Sequence, residues 1–314
     1  MQETETTPGH NQHIAICVPT YRRSNMLTDC LAAIGRLTCP PGRRVTIIVA
    51  DNDEDGSARN AVERIRSLLP FPLHYVIEQE RGLAAVRNRL LEEAVKLGAD
   101  WIAFIDDDEM PEREWLVVFV EAAGRFRADV VTGPLVQLEN PDEVHIPRDR
   151  SRRPTGTTPR FVATNNVMFS SRLVKEQGLR FDRYYDFIGG EDFDFFNRSG
   201  ANGNVHVWIS EALVFETVPP ERKTLSYLFY RHLTGGVNNV LRHKRNFAAW
   251  RSWCHFIPKI IGKLFGSLFS IARAGLTVNR GTARKALKQL GSALGYGAGL
   301  LNIVVERYRH IDGN

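Results

Sequence analysis

Four consecutive acids, Asp106-Asp107-Asp108-Glu109, follow directly on the apolar run Trp101-Ile102-Ala103-Phe104-Ile105. The run has strand length and is rich in aromatic and β-branched residues. Carboxylates crowded at the C-terminal end of such a strand repel one another, and a cation among them relieves the repulsion. Open α/β sheets bind ligands at those strand ends. A hard divalent ion with oxygen ligands, Mg²⁺ or Mn²⁺, fits there and can bridge to a diphosphate. Taken alone, the acids also read as a solvated loop.

Two other apolar runs end in polar groups. Residues 14–18 lead into Pro19-Thr20-Tyr21-Arg22, and residues 45–50 into Asp51-Asn52-Asp53. A parallel sheet would gather all three ends on one rim. There Asp51 could accept a hydrogen bond from a base N–H, Tyr21 offers a stacking face, and Asp106 and Asp108 could reach ribose and metal. The segment 51–56 also matches the first half of an EF-hand loop. Its bidentate Glu would fall at Val62, however, and its flanks read strand then helix, so calcium is rejected.

The elements that must position these groups alternate. Strands are expected over 14–18, 45–50, 73–77, 101–105 and 129–132. Helices are expected over 25–36, 57–69 and 83–97, with another opening at Met110-Pro111. Such alternation predicts a mostly parallel sheet with helices on both faces. Regularity breaks over 137–159, then resumes over 161–169, in a helix over 171–177 closed by Gly178, and over 191–199.

Composition is that of a globular protein, 43% apolar and 25% charged over 314 residues. Residues 1–12 read as a loose polar tail. Cys17, Cys30, Cys39 and Cys254 lie apart without a CxxC pair, which points to buried free thiols in a reducing cytoplasm rather than disulfides or zinc. The net charge of +5 divides sharply: residues 222–314 carry +14 and residues 1–221 carry −9. A basic third of this kind points to an anionic partner. Within it, Phe256, Ile257, Ile260, Ile261, Leu264, Phe265, Leu268 and Phe269 recur as pairs every fourth residue, and Lys259, Gly262, Lys263, Gly266 and Ser267 fill the other face. That is a basic amphipathic helix suited to a lipid interface and too charged to span. The run 293–305 falls short of the roughly 20 residues a spanning helix needs. A helical hairpin packed on protein is the competing reading.

The order of these motifs resembles glycosyltransferase family 2, the inverting enzymes of GT-A fold. The matching pieces are Val18-Pro19-Thr20-Tyr21-Arg22, Val49-Ala50-Asp51-Asn52, Gly82 with Ala85-Val86-Arg87-Asn88, Phe104-Ile105-Asp106-Asp107-Asp108, and Gly189-Gly190-Glu191-Asp192. The run Phe215-Glu216-Thr217-Val218-Pro219-Pro220-Glu221-Arg222 is similar to the bacterial succinoglycan-type exopolysaccharide enzymes. The likeness covers roughly 12–235 and implies a GT-A domain over 13–235, between the polar tail over 1–12 and a basic helical region over 236–314.

The resemblance further implies that Thr20, Tyr21 and Asp51, with Pro19 and Arg22 beside them, hold the uracil of a UDP-sugar. Arg87 would lie by the nucleotide, and Asp106 and Asp108 would be the acids of a DXD motif, with Asp107 between them on the nucleotide-sugar side. Asp192 would be the general base, taking a proton from an acceptor hydroxyl. Glu191 would orient a group or contact the acceptor. The same pair also reads as acids favoured at a helix N-terminus. Many relatives carry a metal-binding His near position 216, where this chain has Glu216. The Gln-x-x-Arg-Trp element of processive synthases is absent, which favours single-sugar transfer.

The function so implied is transfer from a UDP-sugar to a lipid-linked glycan, at the inner face of the plasma membrane. Two rivals fit less well. A sugar nucleotidyltransferase would want a glycine-rich loop after the first strand, where Pro19-Thr20-Tyr21-Arg22-Arg23 has no glycine. A nucleic-acid-binding module leaves the acids at 106–108 unexplained and shows no recognised motif.

Overall fold

The structure, a computed structural model, describes residues 12–138, 153–217, 222, 224–277 and 280–306. The expected tail therefore lies almost wholly outside the described residues. So do 139–152 of the irregular stretch and positions 218–221 of the succinoglycan-like motif.

The chain runs β1 (His13–Thr20), α1 (Ser24–Ile34), β2 (Arg44–Asp51), α2 (Arg59–Arg66), β3 (Leu73–Ile77), α3 (Leu83–Lys96), β4 (Trp101–Phe104), β5 (Glu109–Pro111), α4 (Trp115–Phe126), β6 (Val130–Thr132) and β7 (Leu135–Leu138). After the undescribed stretch come β8 (Val167–Ser170), α5 (Arg172–Lys175), α6 (Glu191–Ala201), β9 (His206–Trp208) and β10 (Val214–Thr217). Three helices follow: α7 (Leu225–Asn246), α8 (Ala249–Thr277) and α9 (Arg280–Leu300).

Seven strands form one sheet in the order β3-β2-β1-β4-β8-β6-β9. The first four are parallel, while β8 runs antiparallel to both β4 and β6. Side chains of β1 alternate between two cores. Ile14, Ile16 and Val18 join Leu31, Val62, Trp115 and Phe119 on one face. Ala15 and Cys17 join Leu90, Phe104 and Phe195 on the other. Burial on both faces explains why β1 reads as an unbroken apolar run. The chain reverses direction across the sheet between β2–β3 and β4, and a crevice at such a reversal is where open α/β sheets take ligands.

A three-stranded sheet, β5-β10-β7, adjoins the acids. Here the expected helix at Met110-Pro111 is corrected. Those residues pair with β10, and the helix begins only at Trp115. Tertiary pairing outweighs the Pro signal, because Pro111 sits at a strand end where its missing N–H loses no ladder bond. The thiols also differ from expectation. Cys17 and Cys30 are buried, but Cys39 and Cys254 are exposed, and all four are free.

By its contacts the chain divides into two compact units, 1–186 with 191–217, and 187–190 with 218–311. The expected division at 235 falls inside α7. In the second unit α9 presents Gly291, Gly295 and Gly299 to α7, one residue per turn. A Cβ at Gly295 would lie 2.1 Å from the Leu233 carbonyl oxygen, and one at Gly291 would lie 2.7 Å from that of Phe229. Glycine therefore lets the two backbones touch. Lys244 Nζ donates to the carbonyls of Gly299 (3.0 Å) and Leu300 (2.7 Å), closing the C-terminus of α9 with a cation.

Helix α3 is held at its start by a residue about a hundred positions away. Asp186 Oδ1 accepts the Ala85 N–H at 2.9 Å, and the Asp186 carbonyl accepts Leu83 N–H at 3.0 Å. Gly82, at φ +150°, makes room for it: a Cβ there would sit 2.2 Å from the Asp186 carboxylate. Asn52 Oδ1 accepts the Gly82 N–H at 2.9 Å. Gly82→Ala should therefore expel the cap and destabilise the fold by about 2 kcal/mol, read as a lower urea midpoint with an unchanged slope. A midpoint equal to wild type would show that the close approach does not constrain α3.

Candidate active site

Register explains the first contact of the site. Cys17 pairs with Phe104, so three residues further along both chains Thr20 stands level with Asp107. Thr20 Oγ1 donates to Asp107 Oδ2 at 2.7 Å. Arg23 then bridges two acids, with Nη1 3.3 Å from Asp107 Oδ1 and 3.5 Å from Asp108 Oδ2. Glu109 folds back under the turn, accepting the Asp106 N–H at 3.0 Å on Oε2 and the Asn165 amide at 3.1 Å on Oε1.

One oxygen from each of Asp106, Asp108 and Glu109 lies within 4.8 Å of the others. Burial, and next the Arg23 charge opposing it, set Asp107, whose carboxyl is pushed up to about 7. Burial and the neighbouring acids raise Asp106, although Arg87 pulls the other way, and Glu109 stands well above the usual carboxylate range. Buried acids that resist ionisation side by side are what a hard, oxygen-ligated divalent cation stabilises. The donor set fits such an ion, and Asp106 keeps 34% of its side chain open to admit one.

On the other flank, α3 places Arg87 between two carboxylates. Its Nη1 pairs with Glu191 Oε1, and its Nη2 lies 3.4 Å from Asp106 Oδ1. Glu191 is 3% exposed, and burial pushes it up to about 7 in spite of Arg87. Its buried Oε2 has no hydrogen-bond partner among the described residues. Asp192, beside it, opens α6, and its charge is among those that raise Asp106. Asp192 Oδ1 accepts the Phe193 N–H at 2.6 Å, so the acids at this end also serve the helix terminus.

The sheet thus brings together Thr20, Arg87, Asp106, Asp107, Asp108, Glu191 and Asp192. The remaining expected residues sit on the same rim with other partners. Asp51 is fully buried and accepts from Ala58 N–H (2.8 Å), Tyr75 hydroxyl (2.8 Å) and Asp53 N–H (3.1 Å). Tyr21 carries the Arg81 guanidinium 3.9 Å above its ring. Arg22 forks onto Asp53 at 3.1 and 3.3 Å, and Pro19 stays within β1. Glu216 stands opposite Glu109 in the ladder and accepts from Gln137 Nε2 at 3.2 Å, but it is not part of the three-carboxylate group. Asn166 is a support, accepting from Trp115 Nε1 and donating to the carbonyls of Pro134 and Ala212.

Sequence reasoning passed over Arg23, Glu109 as a third oxygen donor, Asn52 as the tie for the loop before α3, and Asp186. Glu109 at least stood in the acidic run. Nothing local marks Arg23 or Asp186, because their roles arise only when β4 and the 183–186 turn come near.

The raised carboxyls have a consequence for stability. A carboxyl with a folded pKa near 7 and an unfolded value near 4 binds its proton more tightly when folded. Metal-free protein should then lose stability as pH rises from about 4 to about 7 and level off above that. Melting scans across this range check it, and added Mn²⁺ should recover the loss at the upper end. Rising stability over the same window would contradict the assignment.

Residues 15–178 match the Glycosyl transferase family 2 domain. Over 237 residues the chain is 33% identical to the succinoglycan biosynthesis protein ExoM of Rhizobium meliloti, covering 73% of this chain and 74% of that one. Among solved structures, the mannosyltransferase PcManGT from Pyrobaculum calidifontis, in complex with GDP-Man and Mn²⁺, superposes with a TM-score of 0.63 at 16% identity, over 92% of this chain and 87% of that one. S. aureus TarS 1–349 in complex with UDP-GlcNAc gives a TM-score of 0.53 at 16% identity, over 73% and 67%. In another crystal structure of the same fragment the chain spans 65% of its length. At such identities the solved structures speak for the fold alone. The domain match and the extended identity to one relative go further, and this chain belongs to glycosyltransferase family 2, an enzyme of GT-A fold with a C-terminal helical extension.

Proposed function

We propose that this glycosyltransferase moves one sugar from a UDP-sugar to a hydroxyl of a lipid-linked glycan, inverting the anomeric centre, in bacterial exopolysaccharide or cell-surface polysaccharide synthesis. The observation that carries the reading is the group Asp106, Asp108 and Glu109 at the sheet's reversal point, with Asp192 near enough to act on Asp106. Support comes from the relative named for succinoglycan biosynthesis and from the TarS complex with UDP-GlcNAc. The GDP-Man complex of PcManGT makes a guanine donor the second reading. Release of nucleotide diphosphate across a panel of donors decides between them.

In this reading Mg²⁺ or Mn²⁺ is held through Asp106 and Asp108, and when bound it supplies positive charge to the departing diphosphate. Thr20, Tyr21 and Arg22 line the base side of the rim, and the buried Asp51 holds the 53–58 loop behind them. Arg87 holds Asp106 and Glu191 apart as carboxylates of one site. Asp192 receives the acceptor's hydroxyl proton as the new C–O bond forms and the bond from the anomeric carbon to the diphosphate oxygen breaks. Glu191 lies next to it to orient the acceptor. No described helix is long and apolar enough to cross a membrane. Work at the cytoplasmic face would then rest on peripheral attachment, for which the +14 charge over 222–314 is suited.

Two variants test this chemistry. Asp108→Asn should keep its melting profile and lose most sugar transfer, and EDTA should do the same to wild type. Full turnover in either case would refute metal dependence. Asp192→Asn should still bind the donor in calorimetry yet transfer roughly two to four orders of magnitude more slowly. Retention of anomeric configuration in the product, seen by NMR, would exclude the single-displacement role.

A further inference from the structure

Helix α8 is amphipathic with its faces reversed. The side it turns inward carries Ser252, Phe256, Ser267 and Ser270, and Ser267 Oγ donates to the Ala286 carbonyl at 3.0 Å. The side it turns outward carries Trp250, Trp253, Ile257, Ile261, Phe265 and Leu268, spaced three or four residues apart. Phe265, Leu268 and Phe269 are between 64% and 70% exposed. Residues at those steps form one stripe along the helix, about 30 Å from Trp250 to Ile271. Beside it an open trough of about 340 Å³ between α8 and α9 is lined only by apolar residues, among them Leu264, Leu294, Leu301 and Ile303. An apolar surface of this extent is left bare only where something covers it.

The charge around the stripe says what covers it. Between Arg222 and Val305 the chain has fourteen Lys and Arg and no Asp or Glu. On the helices themselves, Arg251 and Lys259 of α8 and Arg284, Lys285 and Lys288 of α9 are exposed. A second copy pairing through α8 would bring cations against cations with no acid to answer them. An anionic bilayer answers them all, and its hydrocarbon takes the apolar side chains. Trp250 and Trp253, at the start of the stripe, are the residue type that settles at a membrane–water boundary.

We propose that the outward face of α8 beds into the surface of an anionic bilayer, with a lipid chain entering the trough beside Leu264 and Leu294. This rests on the reading that the enzyme works at a membrane, and it names the element and face that attach it. Toward α9 the helix presents Ser267 and Ser270 together with Phe256 and Ile260, and its other large apolar side chains are left for the lipid.

The full chain should bind vesicles of phosphatidylcholine with phosphatidylglycerol at least tenfold more strongly than vesicles of phosphatidylcholine alone, with the difference shrinking as salt rises. Lipids brominated on the acyl chain should quench Trp fluorescence, and Trp250→Phe with Trp253→Phe should remove the quenching. Phe265→Ser with Leu268→Ser and Phe269→Ser should reduce vesicle binding about tenfold with an unchanged circular dichroism spectrum. Sugar release from UDP-sugar with a soluble acceptor should be unaffected by these changes, so a wrong donor assignment and a wrong attachment face give different results. Indifference of the wild type to anionic vesicles overturns the proposal. So does binding without Trp quenching, or a dimer in sedimentation velocity that the triple variant turns into monomer.

Discussion

The rest of the catalytic unit is arranged around the need to hold buried negative charge at the ends of β1 and β4. Four acids in a row would drive the turn after β4 apart in an apolar setting. Each is instead answered by something fixed. Thr20 and Arg23 hold Asp107, Arg23 holds Asp108, Arg87 holds Asp106, and backbone N–H with Asn165 hold Glu109. Burial outweighs these partners, and Asp107 and Glu191 are pushed toward 7. Incomplete neutralisation is what a cation would relieve, since a fully satisfied cluster would have little to gain from one.

Positioning of Arg87 shows how much structure one contact needs. The side chain leaves α3, whose first turn is capped by Asp186 from a distant turn and whose preceding loop is tied by Asn52. Asn88, next to Arg87, exchanges two hydrogen bonds with the Phe181 backbone at 2.9 and 2.8 Å, as a strand neighbour would. Gly82 is the one residue whose lack of a Cβ allows the cap to enter. A short motif around Arg87 is thus the visible part of a brace that also includes residues 52, 181 and 186.

The second unit follows a different logic. Around a small apolar cluster of Val240, Phe256, Leu300 and Tyr296, its helices meet through small residues, with three glycines of α9 against the backbone of α7 and Ser267 and Ser270 of α8 toward α9. Phe256 packs inward with Val240, Leu300 and Tyr296, while the close approach of small residues leaves Trp250, Trp253, Phe265, Leu268 and Phe269 outside. In a water-soluble helical pair the arrangement would normally be the opposite.

The sequence by itself determined the alternating strands and helices, because strands buried on both faces read as unbroken apolar runs. It also determined the crowding of Asp106, Asp107 and Asp108 at a strand end, since the run of acids is local. The family motifs carried Arg87 and Asp192 to the same rim without any coordinates. Tertiary structure alone decided three things. Met110-Pro111 became a strand because β10 offered a partner, a pairing invisible in a local window. Asp51 and Tyr21 acquired partners, Tyr75 from strand β3 and Arg81 from the loop before α3. The apolar stripe near Phe265 came to face outward because helical periodicity reports that a helix has two faces, and only the packing of its neighbours decides which face is covered.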